Sequence, residues 1–232
     1  MELIWDGLVK AFYILITFDP AIMEVTWLTL KVSGTATLIS VLIGVPIGCV
    51  LALKQFPGRK FLVSLANFGM GLPPVVVGLW VSIFLWRSGP FGSLNIIYTP
   101  YAIIIAQAVI ASPIVISFTL AAIQQIHPRI RMSLKALGAN QMQMLWSLVK
   151  EARLGLLAAV MAGFGGVVSE VGASIMVGGN ITGQTRVLTT ATVLEVNKGN
   201  FDVAIAISII LLLLAYGVTA FLTTLQQWRS NE

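Results

Sequence analysis

The sequence predicts an all-α, polytopic membrane protein: five spanning helices in one domain covering residues 1–232. Three observations carry that prediction. Residues of the set AVILMFWYC make up 57% of the chain and charged residues 10%, against ~25% charged in soluble globular proteins. Mean hydropathy is +0.93. Five stretches each supply the about 20 apolar helical residues that cross a hydrocarbon layer ~30 Å thick. A soluble globule of this length has no interior large enough for so much apolar surface. Soluble enzyme, disordered chain and nucleic-acid module are therefore excluded.

The elements follow in order. Leu8–Phe18 is apolar but too short to span, and Asp19-Pro20 stops it. It predicts an interfacial helix within an N-terminal segment, residues 1–24. Glu2 and Asp6 stand where a signal peptide carries basic residues, so no removable leader is expected. The first span is Val25–Leu53, uncharged after Lys31. The second, Phe61–Trp86, and the third, Tyr98–Ile126, carry no charge. The fourth, Leu154–Gly179, is interrupted only by Glu170, and the fifth, Val203–Gln227, is uncharged.

These spans are irregular. Pro46, the pair Pro73-Pro74, and Pro113 each remove a backbone hydrogen bond. Glycines cluster at Gly44 and Gly48, at Gly69 and Gly71, and at Gly163, Gly165, Gly166 and Gly172. Any one glycine is explained by close helix packing. Together they predict a compact bundle with broken helices, an arrangement found around transport pathways.

Charge sets the orientation. Nine of the fourteen Lys and Arg fall on one side: Lys54, Arg59 and Lys60 after the first span, Arg129, Arg131, Lys135, Lys150 and Arg153 before the fourth, and Arg229 in the tail. The other side holds most acids: Glu2, Asp6, Asp19, Glu24, Glu195 and Asp202. Basic residues mark the cytoplasmic side, which places the N-terminus outside and the C-terminus inside. The net charge of +5 then reflects topology and anionic lipid rather than nucleic acid.

Three segments carry functional signals. In the long basic loop, residues 127–153, Ile130, Leu134 and Leu137 recur at helical spacing, Gly138 suits a helix stop, and Met142, Trp146 and Val149 begin a second short helix. Such a helix–glycine–helix elbow either lies on lipid headgroups or docks a cytoplasmic partner. Glu170 is the one acid deep in a span. Facing lipid it costs ~2.5–3.5 kcal/mol, so it faces a pathway or subunit interface, or fixes helix packing by a hydrogen bond. Gly178–Asn200 is external and rich in Gly, Thr and Asn. With Arg186 it is an ordinary surface loop or a vestibule suited to an oxyanion. One Cys, Cys49, and one His, His127, cannot build a metal centre or a nucleophile–base pair, and no catalytic residue or cofactor is expected. No GxxxxGK[ST] phosphate loop is present, so the chain is not an ATPase and any ATP-driven step needs a partner.

Leu137-Gly138-Ala139-Asn140 resembles the core of the EAA loop of binding-protein-dependent ABC importer permeases. The chain departs from that pattern at Met132-Ser133-Leu134, where the EAA triplet stands, and at Lys150-Glu151, where Leu-Pro is usual. Met70-Gly71-Leu72-Pro73-Pro74-Val75-Val76-Val77-Gly78-Leu79 resembles the second-span signature of the molybdate, tungstate and sulfate permeases. Ser169-Glu170-Val171-Gly172-Ala173, continuing from Val177 to Ala191, resembles a further segment of the same permeases, and the combination of Lys150-Glu151-Ala152-Arg153, Val177-Gly178-Gly179-Asn180-Ile181 and Thr185-Arg186-Val187-Leu188-Thr189-Thr190 is most similar to the tungstate type.

The resemblance implies a type I, MetI-like importer permease in a bacterial or archaeal cell membrane, carrying an oxyanion, tungstate first and molybdate or sulfate as alternatives. A membrane scaffold or sensor without transport remains the rival of another class. The implied partners are a second copy of the chain, a cytoplasmic ATPase dimer, an extracytoplasmic binding protein and membrane lipid. The implied roles are ATPase coupling for Leu137, Gly138, Ala139, Asn140, Met142 and Trp146; pore or gate for Pro73, Pro74, Glu170 and Gly172; and anion or binding-protein contact for Asn180, Thr182 and Arg186.

Overall fold

The structure, a computed structural model, describes residues 2–17 and 19–228; Arg229, counted above among the basic residues, and Phe18 lie outside them. Three of the five apolar stretches form uninterrupted helices: α2 (Pro20–Leu53), α5 (Pro100–Gln124) and α11 (Phe201–Trp228). Asp19 starts α2 by accepting from the Ala21 amide at 2.9 Å, with Pro20 in the first turn. At 1.5 Å per residue its 34 residues reach about 51 Å, longer than the hydrocarbon layer. Its last carbonyls are closed by cations: Arg59 Nε donates to Leu51 O at 2.6 Å and Arg131 Nη2 to Leu53 O at 2.8 Å. A positive group suits the negative end of a helix dipole.

The other two stretches are broken. The second becomes α3 (Arg59–Met70) and α4 (Pro74–Leu85), bent by 104° at Gly71-Leu72-Pro73. Proline before Pro74 excludes helical backbone at Leu72 and removes donors from both prolines. Pro46 and Pro113, by contrast, sit inside continuous helices. The fourth stretch becomes α8 (Arg153–Val168) and the short α9 (Gly172–Gly178), interrupted at Ser169-Glu170-Val171. Two amphipathic helices, α6 (Pro128–Ala136) and α7 (Gln141–Glu151), fill the basic loop, and α7 meets α8 at 68°. A further helix, α10 (Leu188–Asn197), precedes α11.

Small residues set the packing. A Cβ on Gly44 would lie 2.8 Å from Val115, and one on Gly48 would lie 2.8 Å from the Ile116 carbonyl, so the α2–α5 crossing needs both glycines. Ser40 adds a hydroxyl bond across that crossing to Ala108 O at 3.2 Å. A Cβ on Gly69 would meet Pro113 at 2.6 Å, and one on Gly78 would meet the Ala173 Cα at 2.6 Å, which seats the half-helix α4 against the half-helix α9. Val32, Ala36, Ile103, Ala106, Ala173 and Val177 fill the core between them.

Where an interfacial helix is expected over Leu8–Phe18, α1 runs over Glu2–Thr17 and packs on α11 through Ala11 and Ile14. Gly7 lies against Ile205, and Lys10 Nζ pairs with Asp202 at 2.6 Å, so the two helices run antiparallel. Both charges are about 40% exposed, so solvent screening leaves this pair a minor contribution beside the apolar packing. Trp5, Phe12 and Tyr13 point outward from α1.

Because Ala173 presents main chain to Gly78, that contact has no flexible atom to move aside. Gly78→Ala is expected to destabilise by ~1–3 kcal/mol, read as a lower unfolding midpoint in detergent. Gly34→Ala, whose Cβ meets nothing within 4 Å, is expected to leave the midpoint unchanged.

Candidate functional site

The first element is the elbow between α6 and α7. Gly138 takes φ +77°, the left-handed region open to glycine. From there the Gly138 amide donates to Lys135 O and the Ala139 amide to Leu134 O, each at 3.0 Å, a complete Schellman stop for α6. The next residue begins α7 with a reciprocal box. Gln143 N donates to Asn140 Oδ1 at 2.8 Å, and Asn140 N donates to Gln143 Oε1 at 2.9 Å. A capped helix end thus abuts a capped helix start, with the amides of Gly138, Ala139, Asn140 and Gln143 all bonded.

Apolar residues of the elbow divide into two sets. Leu148, Ile130, Leu134 and Leu145 pack inward against Cys49 of α2, Ile123 of α5 and Ala152 at the head of α8. Leu137, Met142 and Trp146 stand in the open, 82%, 73% and 71% exposed. The helical spacing that groups Ile130 and Leu134 with Leu137 therefore spans both sets; the Gly138 stop turns Leu137 away from the bundle. Three large apolar side chains on one corner form a patch that water disfavours and a partner surface would cover.

The second element is the break in the fourth span. Glu170 is 7% exposed, and its Oε1 accepts from the Ala173 amide at 2.9 Å, capping α9. Its own carbonyl accepts from Thr189 Oγ1 at 2.9 Å. On the other side of the break, Gln107 of α5 donates through Nε2 to Val167 O at 3.2 Å and also lies 3.4 Å from Ser174 Oγ. Gln107 thereby holds the end of α8 and the start of α9 together. A sequence reading attentive to amides as well as charges finds it: it is the one polar side chain of its size in the upper half of the third span. Gly172 is close-packed, a Cβ there falling 2.5 Å from Val75, while Pro73 and Pro74 form the corner of the neighbouring break. The four pore candidates thus come together at the α4–α9 contact. Beside them Gly165 and Ser169, one turn apart on α8, are exposed.

The third element is the turn between α9 and α10. Asn180, at φ +52°, is gripped from two sides: Thr190 Oγ1 donates to its Oδ1 at 2.9 Å, and Arg186 Nε donates to the same oxygen at 3.3 Å. Thr185 Oγ1 donates to Gly178 O at 2.6 Å and accepts from the Ile181 amide at 2.9 Å. Asn180 and Arg186 are therefore one structural unit, part of which is spent on holding the turn, while Thr182 sits exposed at its tip. At the far end of α10, the Asn200 amide and then Lys198 hold the Glu195 carboxyl below its ordinary range.

These contacts give two predictions. Asn140→Ala, which removes the side-chain acceptor of the α7 box, is expected to cost ~1 kcal/mol locally and to speed amide exchange over Gln141–Met144, with Lys60→Gln as an unaffected control. Glu170→Gln keeps an acceptor oxygen for the Ala173 amide and is expected to retain folding and transport within about threefold. Glu170→Leu leaves that amide unpaired and is expected to lose both, measured as folded yield and uptake in vesicles.

The chain matches the family described as binding-protein-dependent transport system inner membrane component over residues 44–230. A probable anion ABC transporter permease protein of Haloferax volcanii is 39% identical over 204 residues, covering 86% of this chain and 88% of its own. Tungstate uptake system permease proteins of Peptoclostridium acidaminophilum and Campylobacter jejuni are 34% and 31% identical, over 98% and 93% of this chain. They are matched over 100% and 90% of their own lengths. Among solved structures, a chain of the inward-facing MetNI methionine ABC transporter superposes with a TM-score of 0.74 at 20% identity, over 90% of this chain and 97% of its own. That likeness bears out the all-helical, MetI-like permease fold that the motifs imply. With the matched region spanning most of its length and full-length relatives above 30% identity, the chain belongs to the family of binding-protein-dependent transport system inner membrane components.

Proposed function

We propose that the chain is half of the transmembrane pore of an ATP-driven importer that brings tungstate into the cytoplasm. Two copies form the pore, two ATPase subunits sit on the basic, cytoplasmic end, and one binding protein delivers the anion to the acidic, external end. The N-terminus lies on the external side and the C-terminus in the cytoplasm. The observation that carries this reading is the elbow: a corner capped at both helix ends, showing Leu137, Met142 and Trp146 to the cytoplasm. The choice of tungstate is supported by the two relatives of that name matched over nearly the whole chain.

The geometry suits alternating access. ATP draws the two ATPase subunits together and carries the elbows with them. The inward set of apolar residues, with the Arg131–Leu53 bond, makes each elbow move as one body with the ends of α2, α5 and α8. Spans then rock so that the pathway opens outward, and hydrolysis resets it inward. Gly165 and Ser169 line the pathway beside the Glu170 break. Glu170 spends its carboxylate on α9 and is not an anion ligand, since like charges repel. The external turn of Asn180, Thr182 and Arg186 meets the binding protein. Anion selection then rests mainly with that protein, so molybdate or sulfate delivered by another binding protein would use the same pore.

The test uses permease purified with its ATPase in lipid discs. Binding protein is added empty or loaded in turn with tungstate, molybdate or sulfate. Tungstate-loaded protein is expected to raise ATP hydrolysis on the order of tenfold, and Leu137→Asp to abolish the rise. Stimulation only by molybdate or sulfate would move the assignment to that anion. An intact complex stimulated by none would reject import in favour of a scaffold.

A further inference from the structure

A cavity of about 790 Å³ lies between the basic-end half of α2 and the elbow, within the range of dedicated ligand sites, ~300–1,000 Å³. Val45, Val50 and Leu53 form its α2 wall, with Leu145, Trp146 and Val149 of α7 opposite. From Val45 to Leu53 the wall rises about 12 Å along the helix. Its only charged lining residues among those described are Lys54, Arg131 and Lys135, three cations without an acid. Lys54 is the first residue beyond α2, so this cation stands at the basic end of that helix, next to the apolar wall. Arg131 spends Nη2 on Leu53 O, which anchors its guanidinium beside the end of α2.

We propose that this cavity binds one anionic phospholipid of the cytoplasmic leaflet, its phosphate on Lys54, Arg131 and Lys135 and an acyl chain along the α2 wall. The inference rests on the reading of the basic end as cytoplasmic. A soluble partner does not reach 12 Å up a spanning helix, and a free oxyanion leaves the apolar wall without a partner. An amphiphile with a charged head satisfies both halves, and basic pockets between helices at the cytoplasmic face suit anionic headgroups. Ile43 and Ile47, exposed on α2 beside the wall, continue the apolar surface into the bilayer. Because Trp146 and Lys135 belong to the elbow and Val45 and Lys54 to α2 or its end, the lipid bridges the part that meets the ATPase and the part that spans the membrane.

The test is native mass spectrometry of the permease–ATPase complex released from discs of phosphatidylglycerol and phosphatidylcholine in equal amounts. The wild type is expected to keep phosphatidylglycerol and lose phosphatidylcholine. Lys54→Gln/Lys135→Gln is expected to reduce that retention on the order of tenfold, and Val50→Trp, which fills the wall without touching a cation, to do the same. Lys60→Gln/Lys150→Gln, an equal charge change outside the cavity, is expected to leave it intact. Equal retention of the two lipids by the wild type overturns the proposal and needs no variant. Retention unchanged in the first double variant, or displacement by excess tungstate or inorganic phosphate, overturns it as well. ATPase co-purification in the same samples separates the two readings: a complex that forms yet keeps no specific lipid rejects only this inference, whereas a wild type that binds no ATPase rejects the importer.

Discussion

A hydrocarbon layer offers no hydrogen bonds, so a span can be interrupted only where the protein itself supplies the missing partners. The break at Ser169-Glu170-Val171 is the place where this protein depends most on that rule. Glu170 answers the Ala173 amide, Thr189 answers the Glu170 carbonyl, and Gln107 answers the Val167 carbonyl. Three elements distant in sequence, α5, the break itself and α10, are thereby tied at one level. The half-helices α4 and α9 approach closely because Gly78 leaves room for Ala173 and Gly172 for Val75. Lengthening either contact by a methyl group works against all of these bonds at once, since they share the position of α9.

At the basic end the same economy of partners fixes the elbow to the bundle. Helix ends are the natural weak points of a surface helix, each leaving four backbone groups unpaired. The elbow closes one end with a Schellman stop and the next with a capping box, leaving only the four residues Leu137–Asn140 between the two helices. Arg131 and Arg59 then bind the last carbonyls of α2, so that the elbow and the first span share a terminus. Force applied to Leu137 or Trp146 therefore reaches spanning helices through packed side chains and hydrogen bonds rather than through a flexible tether.

Much of this was legible in residue order. The prolines and glycines announced broken, closely packed helices, while the 104° turn of the second span and the meeting of Gly44 and Gly48 with α5 emerged in the structure. Gly138 lay at the helix stop because a left-handed residue after a basic amphipathic turn has few other uses. Other features were hidden. Pro46 and Pro113 look like Pro74 in a sequence, yet their helices continue, because packing holds those helices across the missing bond. Arg186 reads as a free guanidinium, but half of its reach is taken by Asn180. The pairing of α1 with α11 rests on contacts between residues nearly 200 apart, Gly7 against Ile205 and Lys10 beside Asp202.

What the sequence by itself determined was the class: apolar composition, five long stretches and a skewed charge distribution admit only a helical bundle in a membrane, because burial in lipid is set by local composition and length. The motif residues determined the family as well. Tertiary structure alone decided where the polar atoms of Glu170, Gln107 and Arg186 are spent, and that the apolar residues of the elbow divide between core and water. It also decided that Lys54, Arg131 and Lys135 surround one cavity. Those outcomes depend on which helices meet and at what depth, and a hydrogen bond or an exposed face is a property of the neighbours a residue acquires, which its own position in the chain does not specify.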